Sequence, residues 1–424
     1  MKAGENTELA VQSLTLVGEG VGQLVERSVH VRGVFPGERA LVRIEAVSRH
    51  HPRAHARLRS LLEAHPSRRQ APCLDHESRL GRCTGCALME LDEAAQREAK
   101  RAMLHERFGL LVSEVEAAPR PLGYRHSSKR VALRDAKSGG PYLGSYSHGS
   151  HRPAAMGHCL VDHPLLMRAF SSVESNMRAL SIEPYDELLH TGDLRYVWAK
   201  TNGEQVIVTL ITARETTRVR ELAVRLPVEG VLHSVQSAHT NALRGRPAQL
   251  LRGEGEVVLA LLDQRVEVGA LGFVQPNPAV AADAYCALTS HPGGKLAFDL
   301  YAGAGITTRI LRQKFERVVA CEAQPESAAA LGIDPSTVET FLTAPRETPD
   351  LVIANPPRKG LGAEVCHALT QLASPALHVM SCGPEGLARD LAALAEHYEL
   401  VSLRAFDTLP QTAHVELVAQ LRRR

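Results

Sequence analysis

The apolar positions change their spacing along this chain, and each change marks a different kind of element. From residue 8 to 46 the runs are short and strand-like: ELAVQSLTLV, the glycines of GEGVG, QLVERSVHVRGV, the turn FPGE and ALVRIEAV. Short strands punctuated by glycine and proline predict a small β barrel. At Asp92 the pattern changes, and DEAAQREAKRAMLHERF strings together strong helix formers that predict a helix to about Phe108. Strand-like runs return between 124 and 262, LRYVWAKT and EQVIVTLITA among them. From Lys295 onward short apolar strands (KLAFDL, RVVACE, DLVIA, ALHVM, HVELVAQL) alternate with helical segments. That alternation predicts an open, mostly parallel sheet, with ligands at the carboxyl ends of its strands.

At 424 residues the chain is long enough for two or three domains. Aromatic residues make up only 4%, so leucine, valine and alanine must fill the cores. No run approaches the roughly 20 apolar residues that cross a bilayer. The N-terminus MKAGENTELA is polar and has no apolar stretch of the secretory kind, so a cytoplasmic protein with no membrane partner is expected. The net charge of +2 excludes little, but its distribution is uneven: Arg49, Arg53, Arg57, Arg59, Arg68 and Arg69 are opposed only by Glu63. Two readings of that stretch stay open, a solvated linker and a stripe that contacts phosphates. Eight cysteines without a secretory signal point to metal binding and catalysis rather than to disulfides.

Five motifs carry chemistry. Asp299-Leu300-Tyr301-Ala302-Gly303-Ala304-Gly305 follows the strand KLAF, where glycines let backbone approach a ligand. Glu322 ends the next strand at the spacing of a ribose-binding acid, and the missing third glycine of a dinucleotide fingerprint shifts the reading toward a methyl donor. Asn355-Pro356-Pro357-Arg358 closes DLVIA with a rigid loop that can present one amide to a planar base. Cys382, in Ser381-Cys382-Gly383-Pro384, sits between a strand and a helix N-terminus that favours its thiolate, whereas Cys321 and Cys366 read as buried structural residues. Glu416 interrupts the apolar run HVELVAQL, which leaves an exposed edge strand or a working carboxylate as readings. Cys73, Cys83 and Cys86, with Cys159 farther on, have the spacing of a thiolate metal site that fits zinc or an iron–sulfur cluster.

Together these pieces resemble the bacterial RNA uracil-5-methyltransferases that carry an N-terminal TRAM domain and a 4Fe–4S cluster, the 23S ribosomal RNA type above all. The resemblance spans nearly the whole chain. It implies a multidomain α/β protein: a TRAM-like OB barrel over 1–70, a central β-rich iron–sulfur domain over 71–92 and 119–262, and a Rossmann-like class I methyltransferase domain over 93–118 and 263–424. It also implies that the helix around 93–118 packs on the catalytic domain. By the resemblance, Cys73, Cys83, Cys86 and Cys159 hold the 4Fe–4S cluster. Gln275, within Phe273-Val274-Gln275-Pro276-Asn277, binds S-adenosyl-L-methionine with Tyr301, Gly303 and Glu322, and Asn355 completes that set on the uracil edge. Cys382 matches the nucleophile and Glu416 the general base. The chain departs from the family where Asn355 replaces an aspartate, Ala302 a cysteine and Ile306 a polar residue, and the stretch from Glu322 to Asn355 is short. An asparagine still accepts from uracil N3–H and donates to O4, whereas cytosine chemistry needs an acid there.

The expected activity is methylation of uracil C5 in RNA through a covalent Cys382–C6 adduct, by a monomer acting on 23S rRNA. Transfer RNA is the second substrate reading. Two further readings are a non-catalytic RNA-binding or assembly protein, and an amino-group methyltransferase working through Asn355-Pro356-Pro357.

Overall fold

The computed structural model describes residues 1–216, 218–238, 245–272, 275–344 and 347–424. The chain forms two compact units. Met1–Arg69, Glu90–Pro119 and Ala279–Arg424 make the first, and Gln70–Met89 with Arg120–Pro278 the second.

The first unit contains a six-stranded N-terminal sheet in the order Asn6–Ala10, Arg39–Val47, Arg53–Glu63, Arg27–Val31, Gly20–Leu24, Ser13–Leu14. Leu9, Val29, Val31, Val42, Ile44 and Ala54 pack together on its inner side. The strand Gly20–Leu24 lies so close to its neighbours that a Cβ on Gly20 or Gly22 would fall 2.2 Å from the carbonyl oxygen of Val34 or Ala10. The linker reading of the arginine-rich stretch is wrong: Arg53–Glu63 is an eleven-residue strand. Ala54 points inward while Arg53, His55, Arg57 and Arg59 alternate on the exposed side, the period of two that a half-buried strand requires.

The same unit holds a seven-stranded sheet in the order Phe315–Cys321, Gly294–Leu300, Leu351–Ala354, Ala376–Ser381, Glu416–Arg423, Tyr398–Phe406, Val115–Glu116. The first four strands are parallel, and Glu416–Arg423 runs antiparallel to both of its neighbours. Phe298, Val352, Val365, Leu377, Leu387 and Leu417 share one core between this sheet and its helices. The helix Glu93–Phe108 packs into this unit. Asp92 caps it by accepting from Ala95 N, and Gly109 ends it at φ 68°. Its fully buried Lys100 donates from Nζ to Asp407 Oδ1 at 2.6 Å.

In the second unit the strand-like runs form a mixed sheet of seven strands, ordered Pro153–Ala155, Pro141–Tyr146, Ser127–Arg134, Leu194–Thr201, Val206–Thr212, Gly230–Val235, Gln249–Gly253, with a separate hairpin of Glu256–Leu261 and Gln264–Gly269. A sixteen-residue helix that the strand-rich reading missed, Pro164–Ala179, buries Leu166, Phe170, Val173 and Met177 against the sheet. Among the described residues no helix is long and apolar enough to cross a membrane.

Candidate functional site

The carboxyl ends of the four parallel strands carry Tyr301, Glu322, Asn355 and Cys382 in turn. At the first of them the chain turns sharply. Tyr301 adopts φ 60°, and Gly303 and Gly305 follow at 55° and 77°. A Cβ on Gly305 would lie 2.2 Å from Leu331 Cδ2, so glycine is required there for space as well as conformation. Asp299, fully buried one turn below, accepts from the hydroxyls of Thr307 and Thr308 at 2.8 and 2.5 Å. It thereby ties the strand end to the following helix, Ile306–Leu311. Burial pushes its carboxyl up to about 6.

Glu322 accepts from Gly303 N at 2.8 Å and from Gln324 N at 2.6 Å. The glycine turn and the acid 19 positions later are therefore in direct contact. Amides on one side and a fixed carboxylate on the other suit a ligand with ribose hydroxyls. Gln275 is half-buried in the second unit, ahead of the helix Pro278–Leu288. Phe273 and Val274 of the same motif lie outside the described residues.

Cys382 and Glu416 are brought together by strand register. Ser381 pairs with Leu417 across the antiparallel ladder, so the residue after Ser381 and the residue before Leu417 are neighbours on the same side of the pairing. The exposed-edge reading of Glu416 fails, because its strand is internal and its side chain is only 5% exposed. Burial lifts the Glu416 carboxyl to about 8, partly offset by the Arg358 guanidinium. The Cys382 thiol is also raised, first by burial and then by the charge of Glu416, while Arg358 opposes both through its charge and a hydrogen bond. Sequence reasoning treated Arg358 only as the residue after the two prolines. In the structure it is the cation that acts on both the Cys382 thiol and the Glu416 carboxyl. Its loop reaches Cys382 because Gly383 has no side chain: a Cβ there would lie 2.1 Å from Arg358 O. Asn355 is half-buried at the head of that loop, with its N–H donating to Leu300 O at 3.2 Å. Cys321 and Cys366 are almost fully buried in the core, as their structural reading expects.

In the second unit Cys73, Cys83, Cys86 and Cys159 line one small cavity with Met89 and Arg125. All four are free thiols. Burial pushes each thiol up, Cys159 to about 11. Among the described residues no three His, Cys, Asp or Glu side chains converge as ligands of one ion. The donor set that these four cysteines offer around the cavity is all sulfur, which fits zinc, copper(I) or an iron–sulfur cluster alike.

Residues 347–424, which contain Asn355, Arg358, Cys382 and Glu416, match the family model described as tRNA (Uracil-5-)-methyltransferase. Over 99% of its length the chain is 29% identical to an uncharacterized RNA methyltransferase of Synechocystis, covering 96% of that protein. Over its full length it is 29% identical to another of Caldanaerobacter subterraneus, covering 99% of it. The crystal structure of Pyrococcus abyssi tRNA (uracil-54, C5)-methyltransferase in complex with S-adenosyl-L-homocysteine shares the fold, with a TM-score of 0.79 at 21% identity over 98% of this chain and 99% of that one. On these findings the chain is an enzyme, a methyltransferase, and the RNA uracil-5-methyltransferase family is the one they support.

Proposed function

We propose that this protein methylates carbon 5 of uracil in RNA, with Cys382 as nucleophile, Glu416 as general base and S-adenosyl-L-methionine as donor. The observation that carries the reading is the ladder pairing of Ser381 with Leu417, which sets a thiol and a buried carboxylate side by side, with the Arg358 guanidinium acting on both. Carbon 5 of uracil is a weak nucleophile. Attack of the Cys382 thiolate on C6 forms an S–C bond and makes C5 enolate-like. The donor's sulfonium would supply the methyl group that the C5 enolate electrons take, with the S–CH3 bond breaking and S-adenosyl-L-homocysteine leaving. Glu416 then takes the C5 proton, the C5–C6 double bond re-forms and Cys382 leaves with the S–C electrons. Arg358 favours the thiolate and Asn355 holds the base edge. Gln275, Tyr301, Gly303 and Glu322 bind the donor, the last two already joined by the Gly303–Glu322 contact.

The target uracil must leave its stack to reach Cys382, so a loop or flipped nucleotide is the substrate. The domain assignment read from the sequence accompanies this function: a TRAM-like barrel over 1–70, an iron–sulfur domain over 71–92 and 119–262, and a methyltransferase domain over 93–118 and 263–424. Exposed Arg53, Arg57 and Arg59 on one strand give the N-terminal sheet a surface suited to phosphates. Cys73, Cys83, Cys86 and Cys159 hold a 4Fe–4S cluster that joins two distant segments; no step above needs its electrons. Ribosomal RNA of the large subunit is the first substrate assigned. Transfer RNA is the second, favoured because the matching family and the Pyrococcus abyssi enzyme are both named for transfer RNA.

Covalent trapping tests this. Anaerobically purified protein with S-adenosyl-L-methionine is mixed with ribosomal or transfer RNA carrying 5-fluorouridine. The expected product is a denaturation-resistant adduct that is absent in Cys382→Ala, because fluorine cannot leave as a proton. Ordinary turnover by Cys382→Ala would end the proposal. The RNA that is trapped separates the two substrate readings.

A further inference from the structure

Glu416 is held from one side by the strand ladder, where it pairs with Phe406 and Leu417 pairs with Ser381. From the other side it is reached by the loop 407–415, which is buried over most of its length. Such a loop could be tied by its own turns, and in part it is: Thr412 donates from N and Oγ1 to Leu409 O. Most of its fixing comes from elsewhere, from polar side chains placed where water is absent.

Gln411 is the centre of that arrangement. It is fully buried, and it adopts φ 72°, a conformation that residues with a side chain rarely take. Gln96, also fully buried on the helix Glu93–Phe108, grips it in both directions. Gln411 N donates to Gln96 Oε1 at 2.9 Å, and Gln96 Nε2 donates to Gln411 Oε1 at 2.8 Å. Gln96 Nε2 also donates to Leu91 O at 2.9 Å, and Gln411 Nε2 donates to Glu93 Oε1 at 3.2 Å. Four residues after Gln96 on the same helix, Lys100 clamps the start of the loop through Asp407 Oδ1 and reaches Leu409 O at 3.4 Å. Buried polar networks are costly when incomplete and specify one geometry when complete. Here the geometry specified is that of the segment delivering the carboxylate.

We propose that Gln411, clamped by Gln96, is a positioning residue for Glu416, setting where the carboxylate stands relative to the proton it removes. The inference rests on the reading of Glu416 as the base. It assigns the clamp to one step only. Cys382 is held on a different strand by a different loop, so attack and methyl transfer should survive loss of the clamp while elimination slows.

The test uses the full-length protein, with Gln411→Ala and Gln96→Met compared with the parent on the RNA that the parent modifies. Gln96→Met breaks the clamp without touching the strained residue, so a folding defect at 411 alone does not decide the result. On 5-fluorouridine RNA both variants should form adduct like the parent. On ordinary uridine RNA they should accumulate a methylated adduct, with kcat lowered by roughly a hundredfold, the scale of an ångström-size misplacement, and KM lowered with it so that kcat/KM is kept. Elimination at the parent rate in both variants overturns this inference and leaves the nucleophile reading intact. Parallel loss of trapping and elimination also overturns it, since the clamp would then serve the whole site. A parent protein that traps no RNA overturns the proposed function, and this inference with it.

Discussion

Replacing Glu416 by glutamine should make the protein more stable, by a margin that grows as pH rises from about 4.3 to 8. Burial holds the carboxyl near 8 in the folded chain, against about 4.3 for an unperturbed glutamate. Below both values the carboxyl is protonated folded and unfolded, and contributes nothing to the pH dependence. Between them the unfolded chain releases the proton while the folded chain keeps it, so stability falls as pH rises. Above about pH 8 the loss is complete. A gap of between three and four units, at about 1.4 kcal/mol each, corresponds to roughly 5 kcal/mol at most. Glutamine has the same shape and no charge, so Glu416→Gln should match the parent near pH 4.5 and exceed it by a few kcal/mol near pH 8.5. Asp299, whose carboxyl is pushed to about 6, adds the same trend to both proteins and cancels in the difference. The assay is urea unfolding of both proteins at the two pH values, with equal m-values required for comparison. A stability difference that does not change with pH, or a parent more stable than the variant at pH 8.5, would falsify the placement of Glu416 in a site that opposes its charge.

Four further outcomes follow from the same geometry. Single-turnover release of methylated RNA from the covalent adduct should rise with pH as Glu416, whose carboxyl burial lifts to about 8, ionises, and a release rate flat from about pH 5 to 9 speaks against a carboxylate base. Arg358→Met removes the cation that favours the Cys382 thiolate, so adduct formation should slow by roughly a hundredfold, the usual scale for one preorganised charge donor; trapping at the parent rate refutes the role. Lys100→Met leaves Asp407 buried without its partner and should cost about 3–5 kcal/mol in urea unfolding; a loss below 1 kcal/mol would mean that the pair is not buried as described. Cys83→Ser should lower bound iron and soluble yield, and a variant that keeps the parent's iron content contradicts the cluster assignment.

Local signals in the chain were legible wherever the structure-forming cause is local. Asp92 caps its helix and Gly109 ends it, and both residues are the types that such positions demand. Cys382 and Asn355 stand at strand ends because the apolar runs before them stop there. Other features depend on partners far along the chain. Glu416 looks like an edge residue in its own strand; its burial comes from Ala376–Ser381 on one side and Tyr398–Phe406 on the other. The strand Arg53–Glu63 was mistaken in one reading for a linker because its inward positions begin with small alanines, Ala54 and Ala56, which hardly register as an apolar alternation. Helix Pro164–Ala179 buries Leu166, Ala169, Phe170, Val173 and Met177, a helical spacing that the strand-rich surroundings hid. The role of Arg358 was invisible because only the tertiary approach of its loop to Gly383 brings it to the thiol.

One property of the site looks like a conflict and is resolved by the order of events. The charge of Glu416 disfavours a thiolate on Cys382, and burial disfavours charge on both. A thiolate and a carboxylate standing together would leave one guanidinium to offset two anions. The proposed reaction never needs both at once. While Glu416 keeps its proton, Arg358 faces the thiolate alone, and the nucleophile is available for C6. Formation of the S–C bond then removes the thiolate charge and moves it onto the base, away from sulfur. Arg358 is thereby left to favour the charge of Glu416 alone, at the stage where a carboxylate is wanted for the C5 proton. A carboxyl poised near 8 is suited to that sequence, because a group at the ordinary carboxylate value would stay charged throughout and would oppose the first step.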